Sequence, residues 1–418
     1  MNAKLKEKYF LVIVIITFIN MFVAGGLANN LTLYTLPVSE TLGITRSSFS
    51  LCVAIRGVMQ VISSLASGYL YSKLGSRILI PASLAIGAIG YFIFSQSYTV
   101  GLLCLGYAIL GIGDGICIIN ASVYVIGRWF RKNYGLFLGI VSAATGIGGG
   151  VFSVILSAII DASSWRTAFF VSAMLYIALG LIIALFMRDR PEKMGLEPYG
   201  DGSKTAKKEK KVFEGYTEKQ LFKKTTFYIY ILLVFLSGLL AYMISSIVVP
   251  FFQDKGFSIT EAATVNSAFL ISLAVAKIAL GFINDKLGAK VVALLSVLSG
   301  TVTTFFLTRI TGLFEGYLIM IPSGLFLTMA AVVPSFVCTD LFGHRAGPKP
   351  ALLATTAISA AHLFGAVISN SVYDKVGSYL PVLYAVCIAT VVISIFWTIL
   401  FITTTKEKRK FLKQQKSE

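Results

Sequence analysis

Four ionisable residues lie inside long apolar runs of this sequence: Arg56, Asp114, Lys277 and His362. An ionisable group is costly inside a membrane, so each of the four predicts a function. Arginine and lysine are suited to binding an anion, whereas a carboxylate or an imidazole can take up and release a proton. The chemistry indicated is recognition of an anion, with a proton-transferring group close to it.

Arg56 and Asp114 are expected to form an ion pair. Asp114 lies about 21 Å before Arg128, and Arg56 lies about 24 Å before Ser72, at the helical rise of about 1.5 Å per residue. The two side chains are therefore predicted to sit at similar depth. The pair can be static, or Asp114 can take up a proton and release Arg56 to bind an anion. The sequence leaves both interpretations open.

Lys277 is the residue expected to contact the substrate carboxylate, with help from Arg56. It has no acidic partner in its own apolar run after Glu261, and it lies about 12 Å before Asp285, which places it near the midplane. An unpaired cation at that depth requires an anion. The alternatives are a salt bridge to another helix and a lysine that reaches to the membrane surface.

Polar residues recur on single helical faces around these charges. One face holds Arg56, Gln60, Ser63, Ser64 and Ser67, and it would line a cavity or pack on the eleventh span. A second face holds Thr355, Ser359, His362, Ser369 and Tyr373. His362 would relay protons or line the cavity as a neutral hydrogen-bonding group. Further candidates for the cavity lining are Asn29, Asn30, Tyr34, Tyr124 and Tyr242.

Composition places these residues in a polytopic membrane protein. The chain has 418 residues, 56% of them hydrophobic, and a mean hydropathy of +0.82. Its net charge of +17 resides in loops between apolar runs, so no nucleic-acid partner is expected. The five cysteines fall within apolar runs without a Cys-x-x-Cys pattern, and they predict neither a disulfide nor a metal site. No cofactor is indicated.

Twelve apolar runs are long enough to cross a hydrocarbon core of about 30 Å, which takes roughly 20 residues each. They lie near 9–36, 47–70, 78–97, 100–127, 135–160, 166–187, 225–252, 260–282, 290–309, 313–340, 348–372 and 379–404. Lys and Arg concentrate in alternate loops and at both ends, so both termini are predicted to be cytoplasmic. The predicted regions are a six-span bundle (1–187), a linker (188–224), a second six-span bundle (225–404) and a basic tail (405–418). The linker is a solvated tether or, through its basic cluster Lys204 to Lys211, a regulatory or lipid-binding segment.

A loop sequence occurs twice, once in each half of the chain. Gly68, Ser72, Lys73, Gly75 and Arg77 recur as Gly281, Asp285, Lys286, Gly288 and Lys290. The pattern resembles the loop 2–3 signature of the major facilitator superfamily, and the resemblance covers essentially the whole chain. It implies two pseudo-symmetric six-helix bundles of an all-α membrane protein, with these loop residues as a conformational latch. Ser72 departs from the signature aspartate, so the charged latch is expected in the second copy.

Residues 33–43, residues 127–135 and Lys277 resemble the oxalate:formate antiporter and monocarboxylate transporter branch of that superfamily. Gly139, Gly146 and Gly150 form a bare stripe that allows close approach of another helix, which the resemblance implies to be the eighth. That contact would be a rocking interface or static packing. Ile358 occupies the place of a lysine in the oxalate transporter type, so a monocarboxylate is expected rather than a dicarboxylate.

The sequence thus predicts a secondary transporter of a small organic anion that works by alternating access, coupled to a proton through Asp114 or His362, or to a counter-anion. The expected form is a monomer in the cell (plasma or inner) membrane. One alternative is transport of a drug-like or neutral solute, with the buried charges structural. Another is a non-transporting sensor on the same scaffold. No catalytic constellation supports an enzyme.

Overall fold

The computed structural model describes residues 3–130, 134–194, 196–199, 216–343 and 349–414. These residues form helices and their connections, with a single isolated bridge between Phe130 and Tyr199 in the described part of the chain. Two compact units are present: Met1–Thr205 with Val248–Ala274, called unit 1, and Ala206–Ile247 with Val275–Glu418, called unit 2. The basic cluster Lys204 to Lys211 and the last four residues of the tail lie outside the described residues.

Among the described residues, nine α-helices belong to unit 1 in full. They are α1 (Ala3–Asn20), α2 (Gly26–Ala28), α3 (Thr35–Leu42), α4 (Arg46–Leu74), α5 (Ser76–Ser95), α6 (Val100–Cys117), α7 (Ile119–Trp129), α8 (Tyr134–Ala162) and α9 (Trp165–Phe186). A π-helical turn, Met21–Gly25, and a 3₁₀ turn, Leu31–Tyr34, connect α1, α2 and α3 into the first span.

The remaining helices are α10 (Glu218–Leu221), α11 (Thr225–Asp254), α12 (Ile259–Leu287), α13 (Ala289–Leu307), α14 (Leu313–Leu327), α15 (Val333–Phe342), α16 (Lys349–Val376) and α17 (Leu380–Gln414). The final residues of α11 and the first part of α12, Val248–Ala274, belong to unit 1. Elsewhere, α11 to α17 form unit 2. Eleven segments of the described residues are long and apolar enough to cross a membrane, and α16 is a further helix of 28 residues. The prediction of an all-helical, multi-span chain is confirmed.

Glycines determine how closely the helices of unit 1 approach one another. A Cβ atom at Gly90 of α5 would lie 2.8 Å from the carbonyl oxygen of Gly106 in α6, and one at Gly148 of α8 would lie 2.0 Å from that of Phe22. Small residues at such crossings permit backbone contact between membrane helices. Where α6 ends, Asn20 donates its side-chain amide to the carbonyl of Cys117 at 2.7 Å, so this carbonyl at the buried end of the helix has a partner.

The prediction of no disulfide is wrong. Cys52 of α4 and Cys104 of α6 are joined by a disulfide, with their Cα atoms 4.6 Å apart. The two residues are separated by 52 positions in the chain, and only the packing of α4 on α6 brings them together. Each lies within two turns of the start of its helix, at the same end of the two neighbouring spans. The other three cysteines are free.

Candidate functional site

Arg56 of α4 and Asp114 of α6 form the predicted ion pair inside unit 1. The Nε and Nη2 groups of Arg56 both donate to one carboxylate oxygen, at 2.9 and 2.6 Å. The hydroxyl of Tyr176, on α9, donates to the other oxygen at 2.9 Å. The side chains of Arg56 and Asp114 are 5% and 0% exposed. Asp114 is therefore a carboxylate with hydrogen bonds to both oxygens and no access to water.

Glycines of α6 bring this pair together. Cβ atoms at Gly111 and Gly115 would lie 2.3 Å from the carbonyl oxygens of Arg56 and Gln60, so only glycine permits this approach of α4 to α6. Ser63 on the same face donates to the carbonyl of Gly111 at 3.3 Å. This part of the polar face of α4 is thus a packing surface against α6, the helix of the fourth span, where the sequence suggests the eleventh.

Two further tyrosines lie in the apolar core around this pair. Tyr91 and Tyr107 are fully buried, and neither hydroxyl has a hydrogen-bond partner among the described residues. The ring of Tyr91 packs edge-on against that of Tyr176, with centroids 5.1 Å apart. Sequence reasoning missed Tyr176, because nothing in its apolar surroundings distinguishes it from the other tyrosines.

Lys277 of α12 lies in unit 2 without an anionic partner. It is half-buried. Among the described residues, its ammonium group has no carboxylate within 4.0 Å and donates no hydrogen bond. Lys277 thus lacks an anionic partner in its own helix, as predicted, and also in the rest of the described chain. Its ammonium group is available to a ligand, whereas the guanidinium of Arg56 is engaged.

Tyr242 of α11 and His362 of α16 are brought together in unit 2. Their rings stack with centroids 4.2 Å apart and planes 17° from parallel. Gly365 allows the close approach of the two helices, since a Cβ there would lie 2.9 Å from the Cβ of Tyr242. The two predicted lining residues therefore form one aromatic pair across two helices.

The remaining predicted lining residues are distributed over unit 1. Tyr34 is fully buried and stacks on Phe169 with ring centroids 3.9 Å apart. Tyr124 donates its hydroxyl to the carbonyl of Tyr71 at 3.1 Å, and Asn29 donates to the carbonyl of Thr145 at 3.2 Å. The polar groups of Tyr124 and Asn29 thus have protein partners, whereas Tyr34 is enclosed in the packing of unit 1.

The two copies of the loop sequence differ in their surroundings. Gly75 adopts a left-handed φ of 78°, and the carboxylate of Asp189 fits against it and accepts a hydrogen bond from the backbone N–H of Arg77 at 2.7 Å. This carboxylate caps the first turn of α5, where the helix dipole favours negative charge. Sequence reasoning missed Asp189, although its position directly after the sixth span was visible.

In the second copy, Gly288 has φ of 84°, and a Cβ placed there would have nothing within 4 Å among the described residues. Asp285, Lys286 and Lys290 are exposed. In the first copy, Ser72 donates to the carbonyl of Tyr69, while Lys73 is exposed. In the described part of the chain, no atom lies within 4 Å of a Cβ placed at Gly68 or at Gly281. The assignment of these loop residues as a latch stays a prediction.

The glycine stripe of α8 contacts the unit 1 part of α12 at two of its three positions. A Cβ at Gly146 would lie 2.7 Å from the carbonyl oxygen of Leu270, and one at Gly150 would lie 3.0 Å from the hydroxyl of Ser267. These contacts agree with the implied approach of the eighth span. Gly139 has nothing within 4 Å among the described residues, so it takes no part in this contact.

The chain belongs to the Major Facilitator Superfamily, whose family model matches residues 13–258 and 230–418. The nucleoside transporter NupG shares the fold with a TM-score of 0.72 at 17% identity, covering 96% of this chain and 99% of that one. The predicted fold of two six-helix bundles is confirmed. The chain is thus a multi-pass membrane protein of a transporter family, and it is not an enzyme.

Two curated relatives match part of the chain. The oxalate:formate antiporter of Oxalobacter formigenes is 26% identical over 40% of this chain and 40% of its own length. The membrane sensor protein UhpC of Salmonella typhimurium is 23% identical over 38% of this chain and 36% of its own length. The matched regions thus cover less than half of either relative.

Proposed function

We propose that this protein is a secondary transporter of a small organic monoanion, most simply a monocarboxylate, which it moves by alternating access. The observation that carries the proposal is the contrast between the two basic residues inside the spans. Arg56 is neutralised by Asp114, whereas Lys277 has no counter-ion among the described residues. A cation at that depth is costly unless an anion compensates it, and the substrate would supply that anion.

The positive charge of Lys277 matches one negative charge. A dianion such as oxalate or a phosphate monoester would keep a net negative charge beside Lys277, which is unfavourable away from water. A monocarboxylate leaves no residual charge. The similarity to an oxalate:formate antiporter supports a carboxylate as the substrate class. The single positive charge of Lys277 favours a singly charged carboxylate such as formate over a doubly charged one such as oxalate.

Coupling to a proton is proposed to proceed through Asp114. Arg56 can bind an anion only when Asp114 no longer holds it, and protonation of Asp114 removes the attraction between them. His362 is the second candidate for this task, and exchange against a counter-anion is the alternative form of coupling. An inward proton gradient imposed on vesicles is expected to accelerate uptake, and Asp114→Asn is expected to abolish that acceleration. If the rate of uptake does not depend on the proton gradient, Asp114 is not a proton relay.

Uptake into proteoliposomes tests the substrate class. Radiolabelled lactate, pyruvate, formate and acetate are compared with oxalate and glycerol 3-phosphate, in the parent protein, in Lys277→Ala and in Lys277→Arg. We expect uptake of at least one monocarboxylate, its loss in Lys277→Ala and partial recovery in Lys277→Arg. Lys219→Ala, which removes an exposed charge of α10 outside every predicted site, is the matched control. Flux of another solute that persists in Lys277→Ala, with no carboxylate flux, would contradict the proposal and favour a neutral or drug-like substrate.

A sensor without transport is the second candidate, because one relative is named a membrane sensor protein. Binding of a carboxylate by the purified protein, without flux in the same vesicles, would identify this case.

The proposed location is the cell membrane, with both termini cytoplasmic and the protein monomeric. In this orientation Cys52 and Cys104 lie at the outer ends of their spans, the side on which disulfides persist. Labelling of tagged termini in sealed cells tests the orientation.

A further inference from the structure

A salt bridge in unit 1 joins residues from the two halves of the duplicated sequence. Arg46, the first residue of α4, donates through Nη1 and Nη2 to the two carboxylate oxygens of Asp254, the last residue of α11, at 2.8 and 2.7 Å. The side chains are 13% and 24% exposed. Water therefore reaches this bidentate pair, which lies at the predicted outer ends of the second and seventh spans.

A second set of polar contacts lies deeper on the same side. Asn266, about 10 Å into α12 at 1.5 Å per residue, donates its side-chain amide to the oxygen of Asn30 at 3.2 Å and to the hydroxyl of Ser153 at 3.1 Å. Asn30 donates in turn to the carbonyl of Gly149 at 2.8 Å, and Ser153 donates to that of Ala263 at 2.9 Å. Asn30, Ser153 and Asn266 are buried.

These contacts lie along one interface, called the seam, which runs from Arg46 and Asp254 to Asn30, Ser153 and Asn266. Their chemistry suits an interface that opens and closes. Water already reaches the partly exposed Arg46–Asp254 pair, and amide groups that separate can exchange their partners for water. The glycines of α8 add no side chains that would interlock with α12. The joint between the first-half helices and the outer parts of α11 and α12 therefore combines bare backbone with polar groups that water can satisfy.

We propose that the Arg46–Asp254 pair, with Asn30, Ser153 and Asn266 beneath it, is the outer gate of this protein, and that the pair sets how often the outer side opens. The inference rests on the proposed transport function, because a gate has a role only where a substrate must pass. The gate depends on one charge pair, whose positive and negative members can be exchanged while the seam keeps one charge of each sign.

Labelling with a membrane-impermeant maleimide tests this gate without a substrate. A cysteine is introduced by Ser267→Cys, at a position that faces Gly150 within the seam. Arg46→Glu, Asp254→Arg and the double exchange Arg46→Glu/Asp254→Arg are compared in that background, with the protein lacking Ser267→Cys as the blank. Each single reversal replaces an attraction by a repulsion, so it is expected to raise the labelling rate by about three-fold or more, the effect of losing one ion pair. The double exchange is expected to return it to the parent rate.

The neighbouring Lys255→Glu is the matched control. It changes the charge by the same amount as Arg46→Glu, but Lys255 lies over the ring of Phe251 and outside the pair, so no change in labelling is expected. Asp254→Asn keeps the size of the side chain and provides a milder second test should a reversal impair folding. Unchanged labelling in Arg46→Glu and Asp254→Asn overturns the gate, and so does a double exchange that labels as fast as the single reversals. Failure of all carboxylates to enter vesicles would instead remove the proposed substrate and leave the labelling result standing.

Discussion

Two basic residues inside the membrane spans, Arg56 in unit 1 and Lys277 in unit 2, have opposite surroundings. Arg56 donates two hydrogen bonds to Asp114, whose other oxygen is held by Tyr176. Lys277 has no such partner among the described residues. A satisfied buried charge stabilises one arrangement of helices, whereas an unsatisfied one leaves room for a ligand. The comparison therefore separates a centre whose charges are paired from one that is open to a ligand.

The largest expected effect comes from leaving Arg56 without its partner. Asp114→Ala should lower the free energy of unfolding by about 3–5 kcal/mol, because an uncompensated charge remains buried. Lys277→Ala should leave thermal stability unchanged or raise it, since it removes such a charge. Thermal unfolding of the purified protein in detergent measures both.

The double variant Arg56→Met/Asp114→Leu is the control for this prediction. It should recover most of the loss, because no charge remains buried and the hydroxyl of Tyr176 keeps the carbonyl oxygen of Ala24, 3.3 Å away, as an acceptor. A loss in Lys277→Ala as large as in Asp114→Ala would show that Lys277 is also part of a structural pair.

A smaller effect is expected at the third member of the first centre. Tyr176→Phe removes a hydrogen bond to a charged carboxylate and should cost about 1.5–3 kcal/mol. Tyr91→Phe removes an equally buried hydroxyl that has no partner among the described residues, so it should be neutral or stabilising. Thermal unfolding of the two variants side by side provides the measurement. Equal losses would mean that the hydroxyl of Tyr176 contributes nothing specific to the Arg56 centre.

The smallest effect distinguishes the two copies of the loop. Alanine at Gly75 or Gly288 should cost about 1–3 kcal/mol, because both positions combine a positive φ with an extended ψ, a conformation that essentially only glycine adopts. Gly75→Ala additionally displaces Asp189 from the start of α5, which should add about 0.5–2 kcal/mol, the value of a helix cap. The difference in unfolding temperature between the two variants measures that cap. Identical losses would show that Asp189 does not stabilise the first copy.

Several of these features could be predicted from the sequence because they depend on local spacing. The helical rise alone places Arg56 and Asp114 at similar depth, and the run lengths define the spans. Tyr176, Asp189 and the Cys52–Cys104 disulfide could not be predicted in this way. Each depends on which helices are neighbours in three dimensions, and a run of apolar residues carries no information on which side chain will face which helix. The same applies to Arg46 and Asp254, which read as ordinary loop charges.

The central claim is that Lys277 holds the anion while Arg56 stays paired with Asp114. The most direct measurement is the rise in unfolding temperature that small acids produce in the purified protein, because a ligand that binds the folded state stabilises it. A monocarboxylate should stabilise the parent and Arg56→Met/Asp114→Leu alike, and should lose its effect in Lys277→Ala. Stabilisation that survives Lys277→Ala but disappears in the double variant would contradict the claim and would place the anion at Arg56.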